Sequence, residues 1–128
     1  MQPTAEDAAL YELAREASTR AHAPYSKFPV GAALRTTAGD VITGANIENA
    51  SFGLTCCAER TAIFTAVAAG QAEFASIAVY ADAAAASPCG ACRQVMAEFA
   101  PDLRVIWRRD GELVVTPLPE LLADGFRL

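Results

Sequence analysis

The chain has 128 residues, enough for one continuous hydrophobic core and too few for two, so residues 1–128 read as a single catalytic-sized domain. A net charge of -5 and a pI of ≈ 4.8 give no long-range attraction to a phosphate backbone, which argues against a nucleic acid polymer as partner. The 53% hydrophobic content and mean hydropathy of +0.23 are high, yet no apolar run approaches membrane-spanning length; the surplus suggests apolar surface shared between subunits.

Thr4 and Asp7 form a capping signal for a first helix, with Leu10, Leu13, Ala14 and Ala17 at helical spacing and an end near Ala23-Pro24. Strands over 28–36 and 40–47 flank Thr37-Ala38-Gly39, which suits a hairpin turn. A helix over 57–69 is stopped by Gly70, and 76–81 reads as a buried strand with Ile77, Val79 and Tyr80. An alanine-rich loop at 83–87 precedes a helix that opens at Cys89 and runs through Phe99. Strands over 103–108 and 112–115 are joined by Asp110-Gly111, a strong hairpin signal, and 119–123 suits a closing helical turn. Arg104, Arg108 and Arg109 alternate with apolar residues and read as solvated strand positions. Five strands separated by helices predict an α/β fold, a three-layer α/β/α arrangement around a five-stranded mixed sheet. The N-terminal residues lack a basic start and an apolar signal core, so a cytoplasmic location is expected, and the cysteines then read as metal-binding or catalytic.

Those cysteines carry the chemistry. Cys57-Ala58-Glu59 and Pro88-Cys89-Gly90-Ala91-Cys92 offer three soft ligands to one zinc, leave a fourth tetrahedral position open, and set a carboxylate beside it. Cys57 and Cys89 both fall at predicted helix starts, where unpaired amides and the positive dipole end favour thiolate over thiol. Cys89 and Cys92, three apart, share a helix face. Glu59 can reach the same ion only if Cys57 stands at the edge of its helix, because residues two apart diverge inside one. Three thiolates leave a zinc centre negative overall, which acidifies water poorly; Arg60 and Arg93, adjacent in sequence, are candidates to hydrogen-bond sulfur and draw that charge off. His22, the one histidine, lies far from this set and reads as a dipole partner or packed side chain.

Cys-Ala-Glu with Pro-Cys-x-x-Cys is the arrangement of the zinc nucleobase deaminases. Ala23-Pro24-Tyr25-Ser26-Lys27-Phe28, Val30-Gly31-Ala32-Ala33-Leu34 and Asn46-Ile47-Glu48-Asn49-Ala50 extend the match, as does Cys57 to Ala62 and Ser87 to Val95. Over nearly its whole length the chain resembles the small, homotetrameric cytidine deaminases. The resemblance implies one zinc per chain held by Cys57, Cys89 and Cys92, with Glu59 as the proton shuttle. Water activated by the metal would attack C4 of cytidine or deoxycytidine, giving uridine or deoxyuridine and ammonia in pyrimidine salvage. It also implies that Asn46 and Glu48 hold the ribose hydroxyls, and that Phe28 packs near the base. The backbone of Ala58 would contact substrate, and Phe126 would reach into a neighbouring subunit's site, so that active sites are shared within the tetramer. A carboxylate at Glu48 accepts from a hydroxyl and repels a phosphate, which favours free nucleosides. Three other readings compete. A thioredoxin-like redox protein also places Cys-x-x-Cys at a helix start, but leaves Cys57 and Glu59 idle; a structural zinc protein would recruit Cys56 as fourth ligand; and the same chemistry on another nucleoside or a nucleoside antibiotic would change only the substrate.

Overall fold

The computed structural model describes all 128 residues. Its sheet is laid down by five strands: β1 (Val30–Thr36), β2 (Val41–Ala45), β3 (Phe74–Ala81), β4 (Arg104–Arg109) and β5 (Glu112–Pro117). The strand order is β2-β1-β3-β4-β5, with β3 and β4 parallel and every other neighbour antiparallel. The helices are α1 (Ala5–Ser18), α2 (Ala58–Ala68), α3 (Gly90–Phe99) and the short α4 (Leu118–Leu121), so the mixed sheet and the interleaved helices match the α/β expectation.

The two-residue alternation of the strands separates two apolar layers. Leu10, Tyr11 and Ala14 of α1 pack on Ala33, Ala78, Ile106 and Val115. The alternating neighbours in these strands, Ala32, Leu34, Ile77, Val105 and Trp107, face the other way and meet α2, α3 and Leu118 in the larger core. The three layers follow from that division. The alanines of the inner strands matter here, because small side chains let helices approach closely. Gly31 carries this furthest on the α1 side: a Cβ there would stand 1.9 Å from Ala14 O. Gly44 does the same for α2, where a Cβ would meet Ala62 N at 2.5 Å and Ala58 O at 2.6 Å.

The first helix begins as expected, with Thr4 Oγ1 accepting from the Asp7 amide at 3.1 Å and the Asp7 carboxylate accepting from the Thr4 amide at 2.8 Å. It stops at Ser18, five residues before the predicted end. Ser18 and Thr19 hydroxyls donate back to the carbonyls of Arg15 and Glu16, and His22 is drawn into a parallel bridge with Ile47. His22 therefore serves through its backbone, donating to Asn46 O and accepting from the Glu48 amide. Leu13 is exposed, so the buried stripe of α1 is narrower than its spacing suggested. The arginines of β4 also depart from expectation. Arg104 donates to the buried Asp7 carboxylate at 2.6 Å, and Arg108 lies over the Tyr11 ring at 5.6 Å; both tie α1 to the sheet. At the β4–β5 turn, Asp110 and Gly111 both take positive φ, the geometry their dipeptide favours.

Candidate active site

Both helix starts deliver a sulfur. Cys57 is the N-cap of α2 and Cys89 the N-cap of α3, each in extended backbone, φ -70, ψ 156 and φ -68, ψ 165. Cys57 thus stands outside its helix, the condition that lets Glu59 in the first turn face the same point. Cys92 sits in the first turn of α3 and is fully buried, whereas Cys89 is exposed. The three sulfurs lie within 4.8 Å of one another, with Cys57 and Cys89 3.8 Å apart and Cys89 and Cys92 3.2 Å apart. Sulfurs around one tetrahedral zinc, with bonds of about 2.3 Å, lie about 3.8 Å apart, so the set fits the ion with a small opening of the second pair. Cys56 is outside the cluster; its backbone bridges Ile47 instead, which removes the fourth ligand a closed structural site needs.

The electrostatics favour thiolate. Hydrogen bonding from Cys92, then from Arg60 and Cys89, holds the Cys57 thiol down to about 5 against the cost of its burial. Cys92 moves the other way, pushed up by its interaction with Cys57 and by burial. Arg60 Nη2 donates to Cys57 Sγ at 3.3 Å, and the Cys92 amide donates to Cys89 Sγ at 3.4 Å. Arg93 does not reach sulfur. Expected there from its sequence position, its guanidinium turns to Pro88 O, Leu121 O and Ser87 Oγ instead. The reason is non-local: α4 returns beside α3 and offers a carbonyl that the sequence order of α3 alone does not reveal.

Glu59 is 4% exposed, and burial is the main force raising its carboxyl above the usual range; the neighbouring Cys57 charge adds to it, and its own helix amide opposes. It opens on a cavity of about 420 Å³, mostly apolar, that also takes in Phe28, Asn46, Cys57, Ala58 and Cys89. Val30, Thr55, Val79, Ala81 and the stretch from Ala85 to Ser87 complete the wall. Those residues were not singled out from sequence, although the run of alanines after β3 is what a close, apolar wall requires. That wall is fixed by the β4–β5 hairpin, through Ala86 N to Arg108 O and Gly111 N to Ala84 O.

Asn46 spans the pocket's other side. Its Oδ1 accepts from the Val30 amide at 2.9 Å and its Nδ2 donates to Phe28 O at 3.0 Å, which positions the Phe28 ring and leaves one N–H and one lone pair uncommitted. Glu48 faces an adjoining cavity of about 370 Å³ with Tyr25, Ser26 and Phe52, and Thr55 borders both spaces. Its Oε1 accepts from the amides of Tyr25 and Ser26 at 2.9 and 3.1 Å. Hydrogen bonding from Ser26, then Tyr25, holds the carboxyl below its ordinary value. Between these two cavities the chain passes through Lys27, the one lysine of the sequence, in left-handed backbone at φ 58. Phe126 is not brought to this pocket. It is 71% exposed, and its carbonyl accepts from Gln94 Nε2 at 2.8 Å.

A family model for the cytidine and deoxycytidylate deaminase zinc-binding region matches residues 4–107. The chain belongs to that family. Among this deaminase's relatives, the cytidine deaminase of Halalkalibacterium halodurans is 50% identical over 120 residues, 91% of each chain. A crystal structure of cytidine deaminase from Burkholderia pseudomallei superposes with a TM-score of 0.89 at 50% identity, covering 97% of this chain and all of that one. A blasticidin-S deaminase of Bacillus cereus is 37% identical over 126 residues, 91% of this chain and 89% of the relative. The family description names a zinc-binding region, and Cys57, Cys89 and Cys92 form a group whose sulfurs could hold such an ion.

Proposed function

We propose that this protein hydrolyses cytidine and deoxycytidine to uridine and deoxyuridine with release of ammonia. The observation that carries the proposal is the convergence of Cys57, Cys89 and Cys92 with the buried Glu59 carboxyl on one apolar pocket of nucleoside size. Zinc, when bound by the three sulfurs, supplies Lewis-acid activation of water at neutral pH. The remaining work falls to the chain. Glu59 takes one proton from the attacking water and passes it to ring N3, then takes the second from the hydroxyl left on C4 and passes it to the departing amine; its burial raises its proton affinity towards that of the groups it serves. Arg60 holds negative charge on Cys57 and so offsets the excess charge of three thiolates.

Asn46 and Glu48 hold the sugar hydroxyls. Asn46 retains one donor and one acceptor, and Glu48 keeps its second oxygen free while the loop amides fix the first. Phe28 packs on the base, Ala58 contacts substrate through its backbone, and residues 1–128 act as one catalytic domain. The exposed Phe126, with Phe52, Leu54 and Phe64 also exposed, supports a homotetramer in which Phe126 completes a neighbouring copy's site. No helix is long and apolar enough to cross a membrane, and four free cysteines suit a reducing compartment, which supports a cytoplasmic salvage role.

Zinc content and ammonia release from cytidine, measured on wild type and Glu59→Gln, test this reading. One zinc per chain in both proteins with release in the wild type alone is expected, and turnover in the variant falls by several orders of magnitude, roughly 10⁴-fold or more. Near-normal release from Glu59→Gln refutes the mechanism. The similarity to a blasticidin-S deaminase favours one second reading, the same chemistry on a nucleoside antibiotic; faster release from blasticidin S than from cytidine would select it.

A further inference from the structure

Two consecutive side chains of α3 reach back to the end of the chain. Arg93 follows the buried Cys92 directly, and its guanidinium is committed on three sides. Nε donates to Pro88 O at 2.8 Å, Nη1 to Leu121 O at 2.6 Å and Nη2 to Ser87 Oγ at 3.3 Å. Gln94 adds the bond to Phe126 O. Leu121 ends α4, so its carbonyl has no partner within that helix and is open to an outside donor. Pro88 is fully buried and immediately precedes Cys89, while Ser87 lines the pocket. One guanidinium therefore joins the pocket wall, the backbone that presents Cys89, and the last helix of the fold.

The geometry points to Arg93 as a positioning residue that transmits the placement of the C-terminal segment to the Ser87-Pro88-Cys89 backbone, so that the hold on the metal depends on residues 119–128. None of those residues is a ligand. Cys89 is the exposed member of the three sulfur donors and stands at an N-cap, outside the helical backbone of α3, so its placement rests on the loop that Arg93 braces. The planar fork of arginine satisfies three acceptors at fixed angles, which a lysine ammonium on a flexible stem does not reproduce. This inference rests on the zinc reading above.

The test is zinc release from the full-length holoprotein into excess chelator, followed with a colorimetric dye. Arg93→Gln is expected to release zinc about tenfold faster, at the lower end of what support residues around a metal contribute. Its cobalt-substituted form should show an altered thiolate-to-cobalt absorption, while melting of the metal-free protein changes little. A chain shortened after Leu118 should also release faster, and adding Arg93→Gln to it should add less than it does in the full chain, because the shortening has already removed one of the three acceptors. Equal release from wild type and Arg93→Gln, or fully additive effects of the two changes, overturns the inference. Should Arg93→Gln fail to fold, Arg93→Lys carries the same comparison; release at the wild-type rate from it overturns the inference, and faster release upholds it. Wild type without zinc would strike the zinc reading itself, a result distinct from either.

Discussion

Cys57 and Cys89 occupy the same position, the N-cap of a helix, in nearly the same extended backbone conformation, yet their helices are held by opposite means. Helix α2 is placed by missing atoms. Ala58, Ala62 and Ala66 are buried, and at Gly44 the strand beneath has no side chain at all, so backbone rests on backbone. Helix α3 is placed by added atoms, with Met96 filling the core and Arg93 bracing the loop before it. The sulfur cluster thus draws on one helix seated by close backbone contact and one braced by side-chain hydrogen bonds. Additions should damage the first and deletions the second.

The sharpest way to break that contrast is Gly44→Ala. The new Cβ meets backbone of α2 that cannot yield without moving Cys57 and Glu59, so the metal-free fold should lose about 3 kcal/mol, measured by urea unfolding, and zinc content should fall with it. Stability within about 0.5 kcal/mol of wild type would show that α2 has room to shift. A smaller effect is expected from Arg60→Gln, which deletes the donor to Cys57 Sγ but leaves α2 seated on β2. Turnover of cytidine should slow about tenfold while zinc is retained, because Arg60 adjusts charge and not placement. Rapid zinc loss, matching that of Arg93→Gln, would mean that both halves lean on side-chain support and would erase the contrast.

The smallest effect concerns the loop that flanks the pocket. Glu48 has its carboxyl held below the ordinary value by Ser26 and Tyr25, so the folded state favours the ionised form. Its stabilising contribution is therefore complete above the ordinary carboxylate range and disappears as pH falls through the lowered value in the fold. Melting curves of wild type and Glu48→Gln should differ slightly at neutral pH and converge in acid. A difference that persists or grows in acid would assign the effect to something other than the charge.

Features set by neighbours in sequence were legible before any coordinates. The Thr4–Asp7 cap, the stop at Gly70 and the Asp110-Gly111 turn each depend on residues within one turn of one another. Features set by a distant partner were not. The early end of α1 depends partly on Ile47 capturing His22, and the direction of Arg93 depends on where Leu121 comes to rest. Gly44 carried a faint signal, a glycine inside a strand, but the helix it admits lies 14 residues or more further along the chain. Likewise, the alanine run after β3 read as a loop, and only the hairpin that fastens it turns it into a pocket wall. Even so, Cys57, Glu59 and Cys89 were picked out by motif spacing alone, whereas Phe28, Asn46 and Ala58 came from the family resemblance.

Lys27 offers a practical handle. As the one side-chain amine in the chain, exposed between Ser26, which borders one cavity, and Phe28, which borders the other, it gives amine-reactive chemistry a single side-chain address next to the site in sequence. An environment-sensitive dye coupled there would report on nucleoside arrival by its emission, without any cysteine being touched and with the sulfurs left free for metal.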